Sequence, residues 1–328
     1  MALLVYAALR VLFDGLAWRY PIELLSHFQL QYFQISGALS LGLGLELVRR
    51  RWRRDRSVWL LWVACLVVVL WSGAQLLPYQ AVGDRPSLAT FSSTPNASTL
   101  RVMVANVTYD NPERQLVAQV VQQEDPDLVL FVEVDQGWVA DLTAALGDRL
   151  PYQFQSPGSD LAMFSKQPLT DPSGDTLGSR DTSLFATIQF AGTPIHVIGV
   201  HPPLPIYPRL FQRRNLKLEG LHTAILQTPD PLMVIGDLNV TPWSPYFKRL
   251  HRGTHLQDAR RGVGVLPTYP SPTAYGGWIT QVGHLVQIPI DHCLVSPELQ
   301  VRQIYTVSGM NSDHKSLVCD LIYVALAP

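Results

Sequence analysis

The chain has 328 residues, which suits one large domain or two domains of unequal size, and 47% of them are hydrophobic, which is ample for a core. The net charge of −1 is unevenly divided, because residues 1–80 carry eight Arg and four acidic residues whereas the rest carries 17 basic and 22 acidic ones. An acidic C-terminal part argues against strong non-specific binding of nucleic acid, which relies on many Lys and Arg contacts with phosphates. Three cysteines are too few for a disulfide framework and are expected to be buried apolar side chains.

The N-terminal part contains a run of 20 residues without a charge, Val58–Leu77, with Trp residues towards both ends. Roughly 20 helical residues cross a bilayer core of about 30 Å, so this run predicts a transmembrane helix rather than a buried helix of a soluble domain. The apolar stretch Gln34–Val48, taken together with Gln31–Phe33, is predicted to be a second span. The shorter run Ala2–Trp18 contains Arg10 and Asp14 and is either a third span or an interfacial helix.

Six Arg occur among the eight residues 49–56, between two of these apolar runs. Such a cluster suits nucleic acid or anionic lipid, but between two spans it indicates a cytoplasmic loop, since positively charged loops stay on that side. The following helix then leaves the cytoplasm, and the chain after Tyr79 is extracytoplasmic. We therefore expect an integral membrane protein with a membrane region over 1–78 containing two to three transmembrane helices, a linker over 79–99 and a globular domain over 100–328.

From Leu100 onward, short apolar runs alternate with turns and with segments of helical spacing. Helices are predicted over Pro112–Glu124, Gln136–Leu146 and Leu210–Leu226. Eight apolar runs predict strands: Leu100–Ala105, Leu128–Val132, Leu161–Phe164, Leu184–Phe190, Ile195–Val200, Leu232–Ile235, Ile290–Val295 and Leu317–Val324. This pattern predicts a layered α/β sandwich.

Several polar side chains stand where these strands end. Asn106 and Glu133 follow the first two strands, and a carboxylate there is costly unless it is paired or holds a metal, although a surface Glu would look the same. Asp237 and Asn239 follow the Leu232–Ile235 strand two positions apart, so both side chains should face one side. An Asx-turn explains either of them alone.

Histidines complete the set. His201 ends a strand and is followed by Pro-Pro-Leu-Pro, and two Asp-His dipeptides follow, Asp291-His292 and Asp313-His314. A carboxylate beside an imidazole is the usual arrangement that orients a histidine as an acid, a base or a charged donor. Each of these residues taken singly has a structural explanation that is at least as good.

The ordered series resembles the endonuclease/exonuclease/phosphatase superfamily over about residues 100–326. The series consists of Asn106, Glu133, Gly199-Val200-His201, Gly236-Asp237-Leu238-Asn239, Ile290-Asp291-His292 and Ser312-Asp313-His314. The segments Thr241–Pro245 and Thr268–Pro270, with the apolar N-terminus, resemble a membrane-anchored bacterial subgroup, which implies a bacterial inner or cell membrane. The resemblance implies a four-layer α-β-β-α sandwich of two packed mixed sheets, with the site at one edge.

The resemblance also implies residue roles. Glu133, Asn106 and Asp313 would form the site of a Mg²⁺ or Mn²⁺ ion, a hard cation that prefers oxygen ligands. Asp237 would hold or activate the attacking water, and Asn239 would orient the water and the phosphate.

The same resemblance assigns the histidines. His314, fixed by Asp291, would contact the phosphate or act as base, and His201 would supply a second imidazole to a phosphate oxygen or to the leaving group. Which of Asp237 and His314 is the base stays open. Many relatives carry an acidic or amide residue where this chain has Thr108, and Asn111 is the candidate replacement.

The resulting prediction is a membrane-anchored, divalent-metal-dependent phosphoesterase that hydrolyses phosphodiester bonds, with nucleic acid as the first substrate. A phospholipid- or sphingomyelin-type diesterase or phosphatase is the alternative, and a non-catalytic extracytoplasmic binding module is the alternative of another class. The expected partners are the phosphate-ester substrate, either nucleic acid or a phospholipid headgroup, and the bilayer, with no obligate protein partner.

Arg209, Arg213 and Arg214 either contact a phosphate or lipid headgroup or form a solvated helix face. Trp243 and Tyr269 either stack on a base or pack within loops.

Overall fold

The computed structural model describes residues 16, 18–49, 55–80, 98–271 and 283–325. Its N-terminal part begins with a short helix α1 (Ile22–Leu25) and a 3-10 turn (Ser26–Phe28), which lead into the long helix α2 (Gln29–Arg49). Helix α3 (Arg56–Leu76) follows, starts at Asp55, whose carboxylate accepts from Ser57 N at 2.9 Å, and ends in a second 3-10 turn (Leu77–Tyr79). Most of the predicted run Ala2–Trp18 and most of the predicted linker lie outside the described residues.

Helices α2 and α3 form a hairpin. Trp62 Nε1 on α3 donates to Ser40 O on α2 at 3.0 Å, and Gly73 leaves room for the Phe33 ring, which would lie 3.2 Å from a Cβ at that position. Large apolar side chains of both helices remain exposed, Val48 at 83% and Leu60 at 68% among them.

The first of two sheets has the order β11-β12-β1-β2-β4-β3. Its central strands β1 (Leu100–Asn106) and β2 (Leu128–Val132) are parallel, and all other neighbours are antiparallel. The other strands are β3 (Tyr152–Phe154), β4 (Leu161–Ser165), β11 (Leu299–Val307) and β12 (Ser316–Tyr323). Helices α4 (Arg114–Glu124) and α5 (Gln136–Leu146) lie in the connections that follow β1 and β2.

The second sheet has the order β5-β6-β7-β8-β10-β9. Its one parallel pair among the described strands is β7–β8. The strands are β5 (Thr170–Asp175), β6 (Ser183–Phe190), β7 (Thr193–Gly199), β8 (Leu232–Asp237), β9 (Gln257–Asp258) and β10 (Asp291–Val295). Helix α6 (Pro208–Gln227) connects β7 to β8, and α7 (Pro245–His251) follows β8.

Three apolar clusters order these elements into layers. Alternate residues of β1 divide between two of them, because successive strand side chains point to opposite faces. Val102 and Val104 join the cluster between the two sheets, whereas Met103 and Ala105 join the cluster under α4 and α5. The third cluster packs α6 and α7 on the outer face of the second sheet. The result is the expected four-layer α-β-β-α sandwich.

Candidate active site

The sheet pairing brings the polar strand ends together at one edge of the sandwich. In the first sheet, Asn106 lies opposite Val132, so Asn106 and Glu133 end neighbouring parallel strands. In the second sheet, Asp291 lies directly opposite Asp237 across the antiparallel pair β8–β10. Contacts between β1 and β8 join the two sheets at this edge.

Gly236 allows the close approach of β7 to β8 just before Asp237. Its φ is +147°, and a Cβ there would lie 1.9 Å from Val200 O. A side chain at this position would push away the residue that precedes His201, so the glycine keeps His201 beside Asp237.

Asn106 bridges two carboxylates. Its Nδ2 donates to Glu133 Oε1 at 2.9 Å and lies 3.3 Å from Asp237 Oδ2, while its Oδ1 accepts from Thr108 N at 3.1 Å. Glu133 adopts a positive φ of 64°, and its second oxygen accepts from Tyr109 N at 3.1 Å. The half-buried Glu133 carboxylate is therefore held in one orientation at the edge of the cluster.

His314 is held between two aspartates. Its Nδ1 lies 2.8 Å from Asp291 Oδ2, and its Nε2 lies 3.6 Å from Asp237 Oδ2. Burial alone would lower the pKa of His314, but the charges of Asp291 and Asp237 and the Asp291 hydrogen bond raise that pKa to about 10. The imidazole is thus a cation at neutral pH.

His201 stands on the other side of Asp237 in a matching arrangement. Its Nδ1 lies 2.7 Å from Asp160 Oδ2, and its Nε2 lies 3.8 Å from Asp237 Oδ2 and 3.3 Å from Asn239 Nδ2. Burial opposes its charge, but the hydrogen bond and the charge of Asp160 raise the pKa of His201 to about 9. Both imidazoles therefore present Nε2 to the same carboxylate oxygen.

Asp237 is the buried centre of this group. Burial, followed by the charge of Asp291, raises the pKa of its carboxyl well above the usual range, and the two histidines oppose that shift. Asn239 N donates to Asp237 Oδ1 at 2.8 Å, and Asn239 Nδ2 donates to Pro202 O at 3.0 Å, with Asn239 at a positive φ of 48°. A raised carboxyl pKa is typical of a group that exchanges protons near neutral pH.

Thr108 occupies the position where many relatives have an acidic or amide residue, and its side chain hydrogen-bonds to Asp313. Its hydroxyl donates to Asp313 Oδ1 and accepts from Asp313 N at 3.1 Å. Ser312 Oγ donates to Asn106 O at 2.6 Å, which ties the same loop to β1. Asn111 does not reach this cluster, because its amide nitrogen donates to Val107 O at 3.0 Å and to Met310 O at 2.8 Å.

The other residues considered from sequence have structural contacts. His292 is neutral, since burial and Arg260 hold its pKa well below the ordinary value, and its Nε2 donates to Val240 O at 2.7 Å. Arg214 is completely buried, which excludes the solvated helix face for this residue, and Arg213 pairs with Asp181 at 2.7 Å. Trp243 packs edge-on against Tyr79 with centroids 6.2 Å apart, which is loop packing rather than a free stacking surface.

The donor atoms fit a divalent cation. Among the described residues, one carboxylate oxygen each of Asp237 and Asp291 and one ring nitrogen of His314 lie within 4.8 Å of one another, and Asp291 Oδ1 is buried without a hydrogen-bond partner. A protonated His314 cannot ligate a metal, so the carboxylates are the better candidate ligands of this group. Glu133 adjoins this group through Asn106, whose Nδ2 contacts both Glu133 Oε1 and Asp237 Oδ2, and Asp313 precedes His314 in the chain. Carboxylate oxygens are the ligands that hard cations prefer. The cluster can therefore hold a metal ion, even though two histidines already compensate part of its negative charge.

Asp160 was not found from the sequence. It directly precedes the buried strand β4, as other site residues directly follow theirs, but sequence spacing gives no sign that it meets His201.

A family model described as the Endonuclease/Exonuclease/phosphatase family matches residues 103–314. No curated protein sequence matches the chain. Solved structures are similar in fold: sphingomyelinase C from Streptomyces griseocarneus has 16% identity and a TM-score of 0.51, and covers 68% of this chain and 99% of its own. An endonuclease/exonuclease/phosphatase from Beutenbergia cavernae has 20% identity and a TM-score of 0.52, and covers 69% and 72%. A humanized D. rerio TDP2 has 16% identity and a TM-score of 0.54, and covers 68% and 98%.

These structures support the fold alone, whereas the family model spans most of the sandwich and includes the predicted site residues from Asn106 to His314. The chain belongs to the endonuclease/exonuclease/phosphatase family.

Proposed function

We propose that the protein is a membrane-anchored, divalent-metal-dependent phosphodiesterase. One observation carries the proposal: His201 and His314, each with its own aspartate on Nδ1, both present Nε2 to Asp237. Hydrolysis of a phosphate ester needs a group that accepts a proton from water and cationic donors for the phosphoryl and leaving oxygens. A buried carboxylate between two charged imidazoles offers both.

The pKa shifts divide the roles. His314 carries a proton near neutral pH, so it is a poor base and a good donor to a phosphoryl oxygen. Asp237, whose pKa is raised by burial and by Asp291, is the better acceptor for the proton of the attacking water. Asn239 orients that water through the amide that also contacts His201. His201 donates to the leaving oxygen.

Glu133, Asn106 and Asp313 are the residues that we propose to hold Mg²⁺ or Mn²⁺. A bound divalent ion neutralises charge that develops on the phosphoryl oxygens. The hydrogen bonds of Asn106 and Tyr109 to Glu133, and of Thr108 to Asp313, keep these two carboxylates oriented, as supporting contacts do around metal ligands.

Membrane anchoring is supported by the surface of the helical hairpin. Among the described residues, one helical segment, Arg56–Tyr79, is long and apolar enough to cross a membrane, with a mean hydropathy of 2.2. Leu60, Leu70 and, on α2, Leu41 are each more than 60% exposed. Apolar surface of this extent is expected to face lipid. The extracytoplasmic orientation of the sandwich remains a prediction from the Arg-rich loop.

A lipid substrate is the second candidate, and the distribution of exposed apolar side chains favours it over nucleic acid. Among the described residues from 98 onward, six of the nine exposed large apolar side chains lie in three loops that carry candidate site residues. These six are Tyr109 after Asn106, Leu204, Ile206 and Tyr207 after His201, and Leu285 and Val286 before Asp291. Nucleic-acid binding relies on basic side chains, whereas exposed apolar side chains in the loops of a site suit contact with a lipid surface.

The activity is tested with the full chain in detergent micelles, using bis-p-nitrophenyl phosphate with Mg²⁺ or Mn²⁺. We expect Glu133→Ala and His314→Ala to lower kcat at least about 100-fold, in the range for removing a charged donor or a metal ligand. The control Asp141→Asn removes an exposed carboxylate that pairs with Arg114 and should leave kcat unchanged. Equal turnover in wild type and both site variants would favour the non-catalytic binding module instead.

The substrate is tested by comparing DNA, RNA and phospholipid vesicles. A double variant Leu204→Ser/Ile206→Ser should lower the rate of hydrolysis of phospholipid vesicles and leave the rate on bis-p-nitrophenyl phosphate unchanged, because it changes only exposed apolar side chains. Hydrolysis of DNA or RNA with no turnover of lipid would favour a nuclease over a lipid phosphodiesterase.

A further inference from the structure

The N-terminal segment that precedes the membrane helices lies against the loop that follows β8. Trp243 Nε1 donates to His27 O at 2.9 Å, and Thr241 Oγ1 lies 3.0 Å from His27 Nδ1. Ser244 Oγ donates to Glu23 Oε1. This loop, residues 239–244, begins with Asn239 of the site, and every one of its residues is buried.

An ion pair lies beneath these contacts. Glu23 Oε2 is 3.0 Å from Arg214 Nη2, and neither side chain has any exposed surface. Burial alone would raise the pKa of Glu23, but His27, Arg214 and Ser244 hold it near 2, so the carboxylate is charged at neutral pH. Removal of one partner of such a pair leaves a buried charge uncompensated.

Arg214 connects this pair to the site. Its Nη1 donates to Asn239 O at 3.2 Å, and its Nε donates to Asn215 Oδ1 at 2.9 Å. Asn239 in turn donates through its backbone N to Asp237 and through its side chain to Pro202 O. A continuous series of contacts therefore runs from Glu23 through Arg214 to the residue that fixes the orientation of the Asp237 carboxylate.

We propose that Glu23 is a positioning residue of the active site, which acts through Arg214 on the backbone of Asn239. The N-terminal segment then has a second task besides leading into the membrane: it completes the wall of the site. This inference rests on the proposed function only for its effect on turnover. A mere anchor would need no charge buried beneath the site loop, since exposed or apolar contacts would attach the segment equally well.

The test uses Glu23→Gln in the full chain, which keeps the shape of the side chain and removes its charge. The matched control is Asp320→Asn, which breaks the buried end of the Arg101–Asp320 ion pair, 2.7 Å long, on β1 and β12. Two readouts are compared well below the melting temperature: kcat and KM on bis-p-nitrophenyl phosphate, and hydrogen–deuterium exchange of the peptide that covers residues 238–246.

We expect Glu23→Gln to lower kcat on the order of tenfold or more with KM changed less than about twofold, since a small misplacement of site groups costs rate rather than uniform binding. Exchange in residues 238–246 should become faster, while exchange in β1 and β12 stays the same. Asp320→Asn should show the opposite pattern, with faster exchange in β1 and β12 and wild-type kcat.

Wild-type kcat and unchanged exchange in residues 238–246 of folded Glu23→Gln would overturn the proposal, and so would an equal loss of kcat in Asp320→Asn. If wild type hydrolyses no phosphate ester, the proposed function fails, but the exchange of residues 238–246 still decides whether Glu23 orders the loop. If Glu23→Gln does not fold, Trp243→Phe replaces it, because that change removes the hydrogen bond to His27 O and keeps an aromatic ring beside Tyr79. Its expected effect is a smaller change of the same two readouts, and no change in either would overturn the proposal.

Discussion

Replacing Asp160 with Asn should move the alkaline limb of the pH–rate profile. Asp160 is the nearest charge to His201, at 2.7 Å, and its hydrogen bond and charge are the main influences that raise the pKa of His201 to about 9. The interaction is mutual, because the hydrogen bond and charge of His201 lower the pKa of Asp160 against the effect of burial. Asn keeps the size of the side chain and removes the charge.

The size of the effect follows from the two pKa values. With a pKa of about 9, roughly 90% of His201 is protonated at pH 8. Without Asp160, burial still lowers the pKa of His201 while Asp237 and Glu133 raise it, and where these effects cancel, the ordinary value of 6.5 leaves about 3% protonated. If the protonated imidazole donates to the leaving oxygen, turnover rises with the protonated fraction and falls as pH increases through the pKa. Asp160→Asn should therefore lose about 30-fold in kcat at pH 8 and less than about twofold at pH 6.

The assay is kcat on bis-p-nitrophenyl phosphate between pH 5.5 and 9.5, with the full chain in detergent and saturating metal. Asp141→Asn, another Asp-to-Asn change with a surface Arg partner, should follow the wild-type profile. Coincident profiles for Asp160→Asn and wild type would refute the role of the carboxylate. An equal loss of kcat at every pH would also refute the reasoning, because it would mean that Asp160 affects the geometry of the site rather than the pKa of His201.

Three further outcomes are expected. Chelation by EDTA should abolish turnover, with Mg²⁺ or Mn²⁺ restoring it. Glu133→Gln should raise the metal concentration needed for half-maximal rate at least about tenfold, since loss of a group that merely orients a ligand already weakens metal binding by about that factor. Full activity in EDTA would contradict this. The depressed pKa of Glu23 stabilises the fold above the unfolded value of 4.5, and that stability is lost as pH falls through about 2. The contribution to the free energy of unfolding is about 3 kcal/mol, so acid should lower the melting temperature less steeply in Glu23→Gln than in wild type. Parallel curves of melting temperature against pH would contradict this. A phosphatase reporter fused after Tyr79 should be active only outside the cytoplasm, so an active cytoplasmic reporter at that point would reverse the predicted topology.

The strand ends made most of the geometry of the candidate site predictable. Asn106 and Glu133 end parallel neighbours, and Asp237 and Asp291 face each other across an antiparallel pair, so buried strands alone force these side chains to one edge. Apolar runs report such strands directly, because both faces of the central strands are covered. The edge strand β5 shows the opposite case: all six of its residues are exposed, and no apolar pattern predicts it.

Partners that are distant in sequence could not be predicted. Asp160 meets His201 across 41 positions and two sheets, and nothing in the local sequence of either residue encodes the contact. The same holds for Glu23, which lies within the predicted membrane region 1–78 and which the fold buries against Arg214 of α6. Arg214 was weighed as a phosphate contact or a solvated residue, and neither fits, because burial on α6 leaves it only intramolecular partners. Local patterns indicate which residues are polar in an apolar setting, but only the assembled layers decide what they touch.

The two histidine–aspartate pairs resemble each other in geometry but differ in their access to solvent. The Asp291 side chain behind His314 is 1% exposed, whereas the Asp160 side chain behind His201 is 34% exposed. A proton given to a leaving oxygen must be replaced from solvent in every turnover, and a fixed cationic donor needs no such exchange. The pair with the exposed carboxylate is therefore suited to proton transfer, and the enclosed pair to a constant positive charge. This difference in burial supports the proposal that His201 is the acid and His314 the electrostatic donor, which the similar distances within the two pairs would not distinguish.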